Sequence, residues 1–149
     1  AVGVQVAKPD SEVWVVMGDG GFQMTAQELG TIVQEKLPLR MALVNNNYLG
    51  MVRQWQEMFY HQRYESTHLL NPDFMALVRA YGIRGWRVTN DEEAGQAIAE
   101  AREHDGPAFI EFQVVETGES GNVYPMVPTG AALHEMIRRP APKSAQSKE

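Results

Sequence analysis

The chain has no cysteine, which excludes a disulfide framework and a thiolate metal site. It has no apolar run near the ~18 residues of a membrane-spanning helix, so no membrane partner is expected. It shows no signal or transit peptide. Basic residues are scarce. Residues 1–137 hold 9 Lys and Arg against 18 Asp and Glu, whereas residues 138–149 hold 4 against 1. An acidic body argues against nucleic acid as a partner. The basic tail, Arg138-Arg139-Pro140-Ala141-Pro142-Lys143 onward, is polar and Pro-containing and reads as disordered. The expected organisation is one domain over 1–137 and a loose tail over 138–149. The first residue is Ala1, inside a helical pattern that runs to Ala7, as expected for a processed chain or a piece of a longer one.

Two apolar runs are present, Val13–Met17 and Met41–Val44. The first runs into Gly18-Asp19-Gly20-Gly21 and the second into Asn45-Asn46-Asn47. Between them a helical pattern over about 26–35 carries Leu29, Ile32 and Val33 on one face. Thr25 and Glu28 match a capping box ahead of it. A ten-residue helix and a five-residue strand both span about 15 Å, so the helix can return the chain to begin a parallel neighbour. The carboxyl ends of the two strands then lie side by side, where open α/β sheets bind ligands. The uninterrupted apolar run 13–17 reads as a strand covered on both faces.

Downstream, a helix over about 49–59 puts Met51, Trp55, Met58 and Phe59 on one face, which spacing alone assigns to the core. Asn71-Pro72 reads as a helix start, with Asn71 as the cap, and Gly82 as the stop after Tyr81. Strand 84–88, a helix over 91–103 capped by Asn90, and strand 107–115 follow. A Gly- and Pro-rich loop over 116–130 and a short helix over 131–138 complete the reading. The alternation gives an α/β class, a doubly wound parallel sheet with helices on both faces.

A glycine-rich loop after a strand usually means phosphate. The dinucleotide fingerprint fails here, because Gln23 holds the third glycine position. No Gly-Lys-Ser/Thr is present, so a P-loop fails too. Asp19 would repel a bare diphosphate, but it makes sense with a cation between them. Asp19 and Asn46 stand 27 residues apart and bracket one strand–helix–strand unit. Their hard oxygens, completed by phosphate and water, suit Mg²⁺. Between Gly18 and Val52 the only basic residues are Lys36 and Arg40, both expected at the opposite end of the sheet. Taken singly, a Gly-Asp-Gly turn and an Asn run are also ordinary turn and cap residues. His61, His68, His104 and His134 show no ligand spacing.

Gly18-Asp19-Gly20, 24 residues, then Asn45-Asn46 resembles the signature of thiamine-diphosphate enzymes. The resemblance implies Asp19, Asn46 and the backbone carbonyl of Tyr48 as Mg²⁺ ligands, with Gly20, Gly21, Leu49, Gly50 and Met51 facing the cofactor. Gly20 to Leu29, Leu49 to Tyr64, Asn71-Pro72-Asp73-Phe74 and Pro125-Met126-Val127-Pro128 narrow it. These segments resemble the large catalytic subunit of acetolactate synthase. Gly21 replaces a frequent Ser, and Asn47-Tyr48 replaces more usual polar residues. That family condenses two pyruvates, or pyruvate and 2-oxobutyrate, with loss of CO₂ in branched-chain amino-acid synthesis. It implies thiamine diphosphate and Mg²⁺ here, and FAD in the full-length enzyme. It also implies a homodimer or dimer of dimers, a possible regulatory small subunit and a cytoplasmic location. Val52 and Trp55 would line the substrate entrance. The activating Glu lies in an N-terminal domain of the family, so no catalytic residue is expected within this chain. The alternatives are a non-catalytic module for a Mg²⁺-bound phosphate ligand and another thiamine-diphosphate 2-oxo acid decarboxylase. The Gln54-Trp55-Gln56 segment argues against the latter.

Overall fold

In the computed structural model, residues 1–114 are described. The expected loop over 116–130, the helix over 131–138 and the tail lie outside them. Four strands form one parallel sheet: β1 (Trp14–Gly18), β2 (Arg40–Asn45), β3 (Arg84–Val88) and β4 (Ala108–Gln113), in the spatial order β1-β2-β4-β3. Trp14 pairs with Arg40 and Gly18 with Val44, Asn45 with Gln113, and Val88 with Phe112. The register therefore brings all four carboxyl ends to one edge, with β1 and β2 adjacent as their crossover length requires.

The pleat sends alternate residues to opposite faces. Met41, Leu43 and Phe109 join Phe22, Leu29, Ile32, Phe74 and Val78 in the larger core. These last five come from α2 (Asp19–Gln23), α3 (Glu28–Gln34) and α5 (Phe74–Ala80), and Val2 of α1 (Val2–Ala7) packs against the same cluster. Ala108, Ile110 and Val88 pack on Ala97 and Ala101 of α6 (Asp91–Glu103) on the other face. The doubly wound architecture with helices on both faces is thus the observed one.

Four local expectations change. The Gly-Asp-Gly loop is a short helix, α2, and the helix expected over 26–35 is α3, starting at Glu28. The Thr25–Glu28 capping box does not form: Gln27 occupies the cap without a side-chain bond. Thr25 Oγ1 instead donates back to Gly21 and Phe22 carbonyls, because α2 runs into the turn that precedes α3. Among the described residues, strand β1 is an edge strand and not covered on both faces, and Val16 is 72 % exposed. The cap of α5 is Asp73, whose Oδ1 accepts from Met75 N at 3.0 Å. Asn71 is engaged elsewhere. Asn90 does cap α6, accepting from Glu93 N at 3.0 Å, and Gly82 follows α5 with φ +74°.

The far end of the sheet is closed by Arg40. Its guanidinium donates to the carbonyls of Pro38, Gly106, Arg102 and His104. It is committed at the amino ends of the strands, away from the edge that carries Asp19.

Candidate functional site

Asp19 follows β1 directly and is 2 % exposed. Its Oδ1 accepts from the Gly20 N–H at 3.0 Å and its Oδ2 from Asn71 Nδ2 at 2.7 Å. Both donors are neutral, and none of the ion pairs among the described residues includes Asp19. A carboxylate withdrawn from water without a cation is costly.

The same Asn71 nitrogen lies 3.0 Å from Asn45 Oδ1 and 3.1 Å from Asn47 Oδ1. An amide NH₂ carries two hydrogens, yet three oxygens from three side chains converge on it. Gln23 Nε2 holds Asn71 from behind, donating to its Oδ1 at 2.8 Å. The acceptors around this nitrogen are all hard oxygens, one from Asp19 and one each from Asn45 and Asn47.

Asn46 and Tyr48 follow β2 at the same edge. Asn46 Oδ1 accepts from Tyr48 N at 3.1 Å. The segment is clamped from outside: Leu49 N donates to Thr67 O and Leu69 N to Asn47 O, each at 2.8 Å. Tyr48 forms an isolated antiparallel bridge with His68. The Arg53 guanidinium lies 4.2 Å from the Tyr48 ring centroid and 4.6 Å from that of Tyr64. Gly20 is where the two halves meet. A Cβ there would sit 2.5 Å from Leu49 Cδ2 and 3.2 Å from Leu69 Cδ1, while a Cβ on Gly21 would meet nothing within 4 Å. Gly20 therefore permits the close approach of Leu49, and Gly21 borders open space.

Helix α4 (Gly50–Phe59) starts at this edge and is turned inside out relative to its sequence. Its buried residues are Gln54 and Glu57. Met51, Val52 and Phe59 are exposed, and Trp55, 51 % exposed, packs edge-to-face on Phe59 at 6.1 Å. The core assignment of that apolar face is corrected: Trp55 and Val52 border solvent beside the Asn45–Met51 segment.

Behind Asn45 lies a second polar layer. Asn45 Nδ2 donates to Glu111 Oε1 at 2.8 Å, and Arg87 Nε donates to Glu111 Oε2 at 2.8 Å. Arg87 Nη2 reaches Asp73 Oδ1 at 2.9 Å. The hydrogen bond to Glu111, the largest contribution, raises the Arg87 guanidinium above its ordinary value. The Ala76 backbone N–H and then Arg87 hold the Asp73 carboxyl below its own. Sequence reasoning missed Asn71, Arg53, Glu111 and Arg87. All but Arg53 lie far along the chain from Asp19 and reach the site only through the tertiary fold.

An apolar cavity of about 320 Å³ opens beside β1, lined by Val15, Met17, Phe22 and Leu29 among others. None of its lining residues belongs to the oxygen cluster.

The profile of the family described as thiamine pyrophosphate enzyme, C-terminal TPP binding domain, matches residues 1–112. The chain belongs to this family. The TPP-binding domain is 44 % identical over 140 residues to acetolactate synthase isozyme 2 large subunit of Escherichia coli (strain K12), covering 93 % of this chain and 25 % of that protein. It is 48 % identical over 138 residues to acetolactate synthase large subunit of Corynebacterium glutamicum, covering 89 % and 22 %. Among solved structures, it resembles the thiamine diphosphate-dependent 4-hydroxybenzoylformate decarboxylase of Rhodococcus jostii RHA1. That match has a TM-score of 0.75 and 28 % identity over 80 % of this chain and 23 % of that one. The chain spans about a quarter of the length of these curated relatives.

Proposed function

We propose that this domain holds the Mg²⁺-diphosphate half of the cofactor site in a thiamine-diphosphate-dependent acetolactate synthase. The observation that supports the reading is the Asp19 carboxylate, buried with neutral donors only at the carboxyl edge of the sheet, with the Asn45–Tyr48 segment leaving the neighbouring strand at the same edge. Asp19, Asn46 and the Tyr48 carbonyl are the proposed metal ligands. Gly20, Gly21, Leu49, Gly50 and Met51 are proposed to face the cofactor. The residues fit the group: the donors are hard oxygens, as Mg²⁺ requires, and Arg40, the cation nearest in sequence to Asn45, is tied up at the far end of the sheet.

Thiamine diphosphate, when bound, supplies the nucleophilic carbon for carbon–carbon chemistry on a 2-oxo acid, and the protein positions it. Asp19 and the Asn45–Tyr48 turn bind and orient through the metal. Gly20 lets Leu49 pack close against α2. Val52 and Trp55, on the solvent side of α4, are proposed to border the substrate entrance. The group that activates the cofactor is proposed to come from outside residues 1–149.

The names of the curated relatives favour acetolactate synthesis over simple decarboxylation, and the proposed substrates are pyruvate and, as the other acceptor, 2-oxobutyrate. On the same reading the full-length protein carries FAD outside this domain and works in the cytoplasm as a homodimer or dimer of dimers, with a regulatory subunit as a further partner. Among the described residues no helix is long and apolar enough to cross a membrane. The test is product analysis of the full-length protein with pyruvate, Mg²⁺ and thiamine diphosphate. Acetolactate is expected; acetaldehyde as the sole product would replace the synthase with a decarboxylase.

A further inference from the structure

Glu111 is 1 % exposed in the middle of β4. A carboxylate in that position is costly unless it is paired and fully hydrogen-bonded. One oxygen is met by Arg87 at 2.8 Å, and the other accepts from Asn45 Nδ2 at 2.8 Å. An ionised carboxylate only accepts, so Asn45 must turn its NH₂ toward Glu111 and its carbonyl oxygen away. That oxygen then accepts from Asn47 N at 3.1 Å and from Asn71 Nδ2 at 3.0 Å. The first bond closes an Asx turn, in which an Asn side chain bonds the backbone two residues on. It holds Asn47 at φ +58°, in the left-handed region that a residue with a side chain adopts at a cost. Asn46 and Tyr48 flank that residue.

We propose that Glu111, held by Arg87, is a positioning residue for the metal site. It fixes the direction of the Asn45 amide and, through the Asx turn, the course of the Asn45–Tyr48 segment. The inference rests on the proposed metal-site reading and extends it to a residue on a different strand. A reversed Asn45 amide would set its NH₂ against the Asn47 N–H and its carbonyl against the Glu111 carboxylate. The ion pair therefore selects one of two amide orientations, a role beyond joining β3 to β4.

The experiment is a calorimetric titration of the full-length apoprotein with Mg²⁺ at saturating thiamine diphosphate, for wild type, Glu111→Gln and Asn45→Ala. A thermal midpoint in chelator is recorded for each as a separate readout of folding. Glu111→Gln is expected to weaken Mg²⁺ by about 10- to 100-fold, the range for residues that orient ligands from behind. A lowered thermal midpoint with unchanged Mg²⁺ affinity would reduce Glu111 to a structural ion pair and overturn the proposal. Asn45→Ala leaves Glu111 and Arg87 joined, so it reports even where Glu111→Gln does not fold. The same 10- to 100-fold loss is expected, and unchanged affinity overturns the proposal. Asp19→Ala separates the two levels. If it binds Mg²⁺ like wild type, the metal-site reading itself is wrong. If it loses Mg²⁺ while Glu111→Gln and Asn45→Ala keep it, only the positioning role fails.

Discussion

Asn71 brings two hydrogens to three oxygens, those of Asp19, Asn45 and Asn47. Three acceptors thus share one amide nitrogen. This gives a prediction at one atom. Asn71→Asp replaces the NH₂ with an oxygen and sets a second carboxyl group against Asp19. In chelator the variant is expected to lose about 1–3 kcal/mol, the cost of leaving such groups unsatisfied. Adding Mg²⁺ should restore the loss, seen as a rise in thermal midpoint that wild type does not match. Equal melting with and without Mg²⁺ would mean that the cluster is an amide network only. Of these residues, the spacing around Asp19 and Asn46 was legible in the sequence. Asn71 was not, because its residue type suits a helix cap equally well, and only the fold draws its amide 52 positions back to Asp19.

The elements were legible wherever local signals agreed with tertiary demand. The second strand is observed at Arg40–Asn45 and the third at Arg84–Val88, both bounded by unambiguous breakers. Helix α6 begins where Asn90 accepts from Glu93 N, and Glu93 returns a bond by accepting from Thr89 N at 2.8 Å. Asn90→Ala is therefore expected to cost about 1 kcal/mol, read as a shift in denaturant midpoint without a change in slope. Signals failed where tertiary structure overrode them. Asp19-Gly20-Gly21 has poor helix propensity, yet forms α2 because Phe22 must reach Phe74 and Phe109 in the core. Helix α4 has a regular apolar stripe, but the fold buries Gln54 and Glu57 and leaves Met51, Trp55 and Phe59 exposed and Met58 half-buried. Periodicity identifies a face; it does not say which face meets the sheet.

Among the described residues, the parallel sheet brings the carboxyl ends of its strands, and the proposed site, to one edge and leaves one flank open. Strand β1 is an edge, Val16 is exposed, and the apolar cavity beside it is lined by Val15 and Met17. An uncovered apolar edge strand is a pairing surface. The sequence could not reveal this edge, because an apolar run looks the same whether its cover comes from its own chain or from elsewhere. Asp19 is proposed to hold a cation which in turn holds a diphosphate. The most direct test is calorimetry of thiamine diphosphate binding to full-length protein, in Mg²⁺ and in chelator, for wild type and Asp19→Ala. Wild type is expected to bind in Mg²⁺ only, and Asp19→Ala in neither condition. Thiamine diphosphate binding of equal strength in chelator, or undiminished in Asp19→Ala, would contradict this.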